Sequence, residues 1–192
     1  MNTAKSPRVD AAAWHTLVGG VLCYGFDAVD FAVLALALPL IISEWHLSLT
    51  EAGLIGTAGM LGVGVSGVLM GWFADRFGKR RALLVSFGGA AVLLPVYAMI
   101  RDLRVLLWTG PLMAMFFASA GPMGAYLTEL FPTRVRCLGA GFCFNVGRGL
   151  AAFAPFVLGA LATRFGLAVS LGLCGVGYLA ASMVMLAMPE ST

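Results

Sequence analysis

The chain has 192 residues, of which 60% are hydrophobic and 11% charged, with a net charge of +3. Soluble domains carry about 25% charged residues, and here the charges gather in short clusters between apolar runs of about 20 residues or more, enough to cross the roughly 30 Å hydrocarbon core. A soluble globular fold is excluded, and so small a positive charge suggests no nucleic-acid partner.

The fold class expected is an all-α membrane protein with six transmembrane helices, near 14–42, 51–74, 82–100, 105–127, 138–162 and 166–188. Residues 1–13 form a polar N-terminal tail, and no cleavable targeting segment is expected because the run from Trp14 is too long for one. Helices one to three fall in 14–100 and helices four to six in 101–192, with no room for a soluble domain. Lys5, Arg8, Arg76, Lys79, Arg80, Arg81, Arg134 and Arg136 lie on one side. Arg101, Arg104 and Arg164 lie on the other. That bias places both termini in the cytoplasm, and the protein in the inner or plasma membrane.

The first span carries Asp27 and Asp30, three residues apart and so on one face. An ionised carboxylate in hydrocarbon costs at least ~2.5 kcal/mol on insertion scales. It should face the bundle interior, take up a proton or pair with a cation. Two carboxylates this close disfavour double ionisation, which suits proton coupling. The second span repeats glycine at 53, 56, 59, 62, 64, 67 and 71. Much of that set shares a face and admits close approach of another helix. Pro39, Pro95, Pro111, Pro122 and Pro155 lie in or at the ends of spans, as in the kinked helices of transporters.

Gly71 to Arg81, reading GWFADRFGKRR, ends the second span. Gly78 permits a tight reversal, and Arg76, Lys79, Arg80 and Arg81 anchor the cytoplasmic face. Asp75 opposes the helix dipole there and needs a partner, either Arg76 or the N-terminus of a neighbouring helix. Further on, Glu129 closes the fourth span, and Arg134 and Arg136 precede the fifth. A Glu–Arg clamp across the Pro132 turn would fix the angle between them. Arg148 is the one basic residue inside a span, with Asn145 three residues before it. A guanidinium in a cavity suits a carboxylate ligand through paired hydrogen bonds. Arg148 is expected to bind an organic anion with help from Asn145, or else to pair internally with Asp27 or Asp30.

Cys23, Cys137, Cys143 and Cys174 have no metal-ligand spacing, and His15 and His46 form no site. Catalytic sets and phosphate-binding glycine loops are absent from the sequence, so an enzyme is not expected, nor a cofactor or metal. Trp14, Trp45, Trp72 and Trp108 fall near the expected interfaces.

The segment 71–81 resembles the signature loop of the major facilitator superfamily, G-x-x-x-D-R-x-G-R-R/K, with every fixed position present. The run ELFPTRVR followed by G-F-x-x-N-x-G-R is similar to the sialate and aromatic-acid:proton symporters of that family. The resemblance implies secondary active transport, with proton-coupled symport of a small organic anion. It implies a cytoplasmic latch built from Gly71, Asp75, Arg76, Gly78, Lys79 and Arg80 with Glu129, Arg134 and Arg136. Family members have twelve helices in two halves, so the resemblance also implies shortening, with the first two helices joined to the last four at a loop both halves share. An evolved half-size transporter is the alternative. Alternating access needs two bundles, so either two chains pair as a parallel dimer or the chain is a non-transporting membrane protein or partner subunit.

Overall fold

The computed structural model describes residues 11–100, 102–117 and 119–190, with backbone alone for 11–13, 30–38, 40–41, 44–45, 98, 103, 106, 120, 167–168 and 171. The N-terminal tail with Lys5 and Arg8, Arg101, and the side chains of Asp30 and Trp45 therefore lie outside the described residues. All elements among those described are helices: α1 (Ala11–Trp45), α2 (Leu49–Phe77), α3 (Lys79–Met99), α4 (Leu103–Phe116), α5 (Ala120–Leu130), α6 (Arg136–Ala151), α7 (Ala154–Phe165) and α8 (Leu167–Ala187). Among the described residues, three stretches are long and apolar enough to cross a membrane: Leu49–Phe77, Lys79–Tyr97 and Arg136–Phe165.

Two of the expected spans are broken. The fourth divides into α4 and α5, and the fifth into α6 and α7. Each break lies just before a proline. Pro122, in the first turn of α5, has no N–H to offer the preceding turn, and α4 ends at Phe116 and α5 begins at Ala120. Pro155 likewise offers none to Ala151, the last residue of α6, and occupies the first turn of α7, where a missing N–H costs nothing. Pro95 and Pro111 stay inside α3 and α4.

Helix ends are set by local chemistry. His46, at φ 51°, ends α1, and the Leu47 N–H reaches back to the Ile42 carbonyl, the hydrogen bond that closes a helix on a left-handed residue. Ser48 then caps α2: its hydroxyl accepts from the Glu51 N–H, and the Glu51 carboxylate accepts from the Ser48 N–H at 2.8 Å. Gly78 stands between α2 and α3 at φ 96°, ψ 142°, as the reversal there requires. Gly166 stands between α7 and α8 at φ 85°, ψ 160°. Only glycine adopts this backbone readily. Their surroundings match: Gly78 follows Ala74-Asp75-Arg76-Phe77 and donates to the Ala74 carbonyl, while Gly166 follows Ala162-Thr163-Arg164-Phe165 and donates to the Ala162 carbonyl.

The helices pack most extensively in three pairs, α1 with α6, α2 with α4, and α3 with α8. The core between them holds Cys23, Leu83, Phe87, Met123, Tyr126, Leu127, Cys143, Tyr178 and Met185. Cys23, Cys143 and Cys174 are buried free thiols, used as small apolar groups. The expected glycine face of α2 is engaged at one point, where Gly62 lies against Pro111 and Ala114 of α4. Positions 53, 56, 59, 64, 67 and 71 have open space around them. That helix also exposes Leu61, Val65 and Val68, side chains suited to lipid or to another helix.

Candidate functional site

Asp27 is buried in the middle of α1, 7% exposed. The Ser119 hydroxyl, itself buried, donates to its carboxylate. Ser119 stands where α5 begins and makes no capping hydrogen bond to that helix. Ser119, at the break ahead of Pro122, thus supplies its hydroxyl to Asp27 across the bundle. A buried carboxylate must be paired, hydrogen-bonded or protonated, and here a hydroxyl takes the place of a cation.

One turn before Asp27, Tyr24 meets Phe144 of α6 edge to face, with centroids 5.2 Å apart. The Arg148 guanidinium lies over the same Phe144 ring at 5.2 Å, a cation–π contact. α1 and α6 come close because Gly147 carries no side chain: a Cβ there would lie 2.7 Å from the Tyr24 Cβ. Arg148 and Asn145 are both exposed. The Asn145 amide donates to the Gly141 carbonyl at 2.8 Å, within its own helix. Arg148 makes no salt bridge to Asp27 among the described residues, although its charge acts on that carboxylate, and the alternative partner Asp30 lies outside the described side chains.

At the expected cytoplasmic end, α3 fastens two other helices. Lys79 pairs with Glu129 of α5 at 2.6 Å. Arg80 donates to the carbonyls of Met185 (3.1 Å) and Leu186 (2.5 Å) and to the Glu190 carboxylate (3.3 Å). Positive charge is unfavourable in the first turn of α3 and favourable beside the last carbonyls of α8. The Tyr126 hydroxyl donates to the Pro189 carbonyl and adds a further tie. Glu129, expected to clamp an arginine across the Pro132 turn, is reached from α3. Lys79 reaches Glu129 from a different helix, and Arg134 projects from the turn as an exposed side chain. Gly71, Asp75, Arg76 and Arg136 are not drawn into this cluster. Asp75 and Arg76 are exposed and form no ion pair with each other, and the Arg136 Nε is buried without a partner among the described residues.

Ser119, Tyr24, Phe144 and Glu190 join the expected residues through tertiary packing. Phe144 and Tyr24 have a sequence signal, standing four residues before Arg148 and three before Asp27 and so on the same helical faces. The described residues include no metal-binding cluster.

The Major Facilitator Superfamily profile matches residues 20–192. A Haemophilus influenzae protein assigned to metabolite transport is 29% identical over 171 residues, 88% of this chain and 42% of the relative. A gallate transporter of Pseudomonas putida is 32% identical over 149 residues, 76% of this chain and 33% of the relative. A cis,cis-muconate transport protein of Acinetobacter baylyi is 31% identical over 80 residues, 41% of this chain and 19% of the relative. The chain thus spans less than half the length of each. With the helical bundle, the apolar spans and the signature segment, these matches establish that the chain belongs to the major facilitator superfamily of multi-pass membrane transporters.

Proposed function

We propose that the chain forms one six-helix half of a secondary transporter that moves a small organic anion together with protons. α4 with α5, and α6 with α7, each make one broken crossing, and both termini lie in the cytoplasm. The pairing of helices supports this reading. With the crossings numbered one to six, the pairs are one with five, two with four and three with six. Exchanging one with four, two with five and three with six leaves that set unchanged, as two inverted three-helix repeats require.

The observation that carries the proton role is the burial of Asp27 against Ser119. Protonation would neutralise Asp27 and loosen its demand on the hydroxyl. Asp30, three residues on, would share the proton load. Arg148, shelved on Phe144, would hold the carboxylate of the anion, with Asn145 beside it. Gallate and cis,cis-muconate, named for two relatives, are the organic acids to try first. Lys79, Arg80 and Glu129 would close the cytoplasmic end within one bundle. Gly71, Asp75, Arg76, Gly78, Arg134 and Arg136 would face a second bundle, supplied by another copy across the open glycine face of α2.

Uptake of labelled gallate and muconate into proteoliposomes, with and without an inward proton gradient, tests this reading. Gradient-driven uptake should be lost in Asp27→Asn and in Arg148→Glu, while both variants still fold. Gradient-independent uptake in the parent chain, or unchanged uptake in Arg148→Glu, would overturn it. A second reading is a non-transporting partner subunit, since alternating access needs two bundles and one six-helix bundle supplies only half. Absence of any uptake from dimeric preparations would favour it.

A further inference from the structure

An apolar groove of about 390 Å³ runs between α1, the end of α6, α7 and α8, and neither Asp27 nor Ser119 lines it. Its walls include Phe26, Leu150, Val157, Leu161, Cys174 and Tyr178. Leu150, Val157 and Leu173 along its rim are 54%, 50% and 43% exposed, so the groove opens to the outside of the bundle. From Leu150 to Leu161, at about 1.5 Å per helical residue, it extends roughly 16 Å. That is about half of the roughly 30 Å hydrocarbon core, the depth of one leaflet.

The end of the groove is charged. The lining positions of α7 are 154, 157, 158 and 161. The same helical face continues three residues on to Arg164. Arg164 is exposed, in the last turn of α7 at the end of the Arg136–Phe165 stretch. It forms no ion pair among the described residues. A cation about one turn beyond a leaflet-deep apolar groove stands at headgroup level.

We infer that this groove holds one acyl chain of an anionic phospholipid, with the lipid phosphate on Arg164. The groove supplies apolar burial for the tail, and the guanidinium supplies paired hydrogen bonds to phosphate oxygens. The inference needs only a membrane-embedded bundle and is independent of which anion is transported.

The test uses the full chain purified in detergent, with phosphatidylglycerol and phosphatidylcholine of matched acyl chains. Native mass spectrometry should show one tightly held phosphatidylglycerol per chain, preferred over phosphatidylcholine by about fivefold, the scale of one basic residue at a headgroup. Arg164→Gln should bring the two lipids level. Ala154→Phe, which fills the groove, should weaken both. Phosphatidylglycerol carrying a photoreactive acyl chain should label peptides from 150–161 and 173–178, a readout that depends on no variant. Equal affinity for the two lipids in the parent chain, or labelling confined to other faces, would overturn the inference. Displacement of the labelled lipid by gallate would assign the groove to the transported solute and overturn it equally.

Discussion

Gly147→Ala adds one methyl group at the tightest approach of α1 to α6. Its Cβ would meet the Tyr24 Cβ at 2.7 Å, the Gly25 nitrogen at 2.8 Å and the Val21 carbonyl oxygen at 2.9 Å. Two of these three are backbone atoms that no rotamer change can move, so α1 as a whole must recede by roughly half an ångström. Overpacking of this kind costs about 1–3 kcal/mol. Alanine also gains about 1 kcal/mol of helix propensity over glycine, which would partly hide the strain. Gly149→Ala is the control, because it lies two residues on in the same helix and has open space around it. Unfolding both variants in mixed micelles by denaturing detergent should show Gly147→Ala less stable than Gly149→Ala by about 1–3 kcal/mol. The retreat of α1 also parts Tyr24 from Phe144, so the ring beneath Arg148 loses its support and anion affinity should fall only in Gly147→Ala. Equal stability of the two variants would show that the helices are not in contact there, and the arrangement of the site would fall with it.

Three further outcomes are expected. Ser119→Ala leaves the Asp27 carboxylate without its donor and should lower stability by about 1–3 kcal/mol; in an Asp27→Leu background the same change should have much less effect, and equal losses in both would break the link between them. A double-mutant cycle of Lys79→Ala and Glu129→Ala should give a coupling of about 0.5–1 kcal/mol, since the pair is 21% and 33% exposed and partly screened; no coupling would refute the tie between α3 and α5. Gly78→Ala and Gly166→Ala should each cost about 1–3 kcal/mol because both sit at positive φ, while Gly88→Ala, in open space inside α3, should be neutral or stabilising in the same unfolding assay.

Composition and spacing reveal the membrane bundle, the reversal at Gly78 and the burial of Cys23, Cys143 and Cys174, because each depends on local chemistry or on the bilayer as solvent. The response of helices to proline is only half legible. Pro122 and Pro155 stand at breaks, whereas Pro39, Pro95 and Pro111 lie inside helices. Contacts such as Lys79 to Glu129 and Ser119 to Asp27 join residues far apart in the chain and become visible only once the helices are packed. Glu129 has candidate partners nearby along the sequence, but its ion pair with Lys79 of α3 depends on how the helices pack. Two other features need no structure to be seen: the Ser48–Glu51 capping box, and the repeat of Ala-x-Arg-Phe-Gly at 74–78 and 162–166.

That repeat has a consequence for how the bundle knows which way is up. Gly78 and Gly166 turn the chain in the same way at junctions that the three-helix repeats would set at opposite faces, each preceded by an arginine two residues earlier. In backbone terms the two turns are alike. What distinguishes the faces is the charge that follows the turn: Lys79, Arg80 and Arg81 after the first, Leu167, Ala168 and Val169 after the second. Insertion direction in such a fold is a property of a few side chains rather than of its architecture. Moving three lysines or arginines from one junction to the other should be enough to invert it.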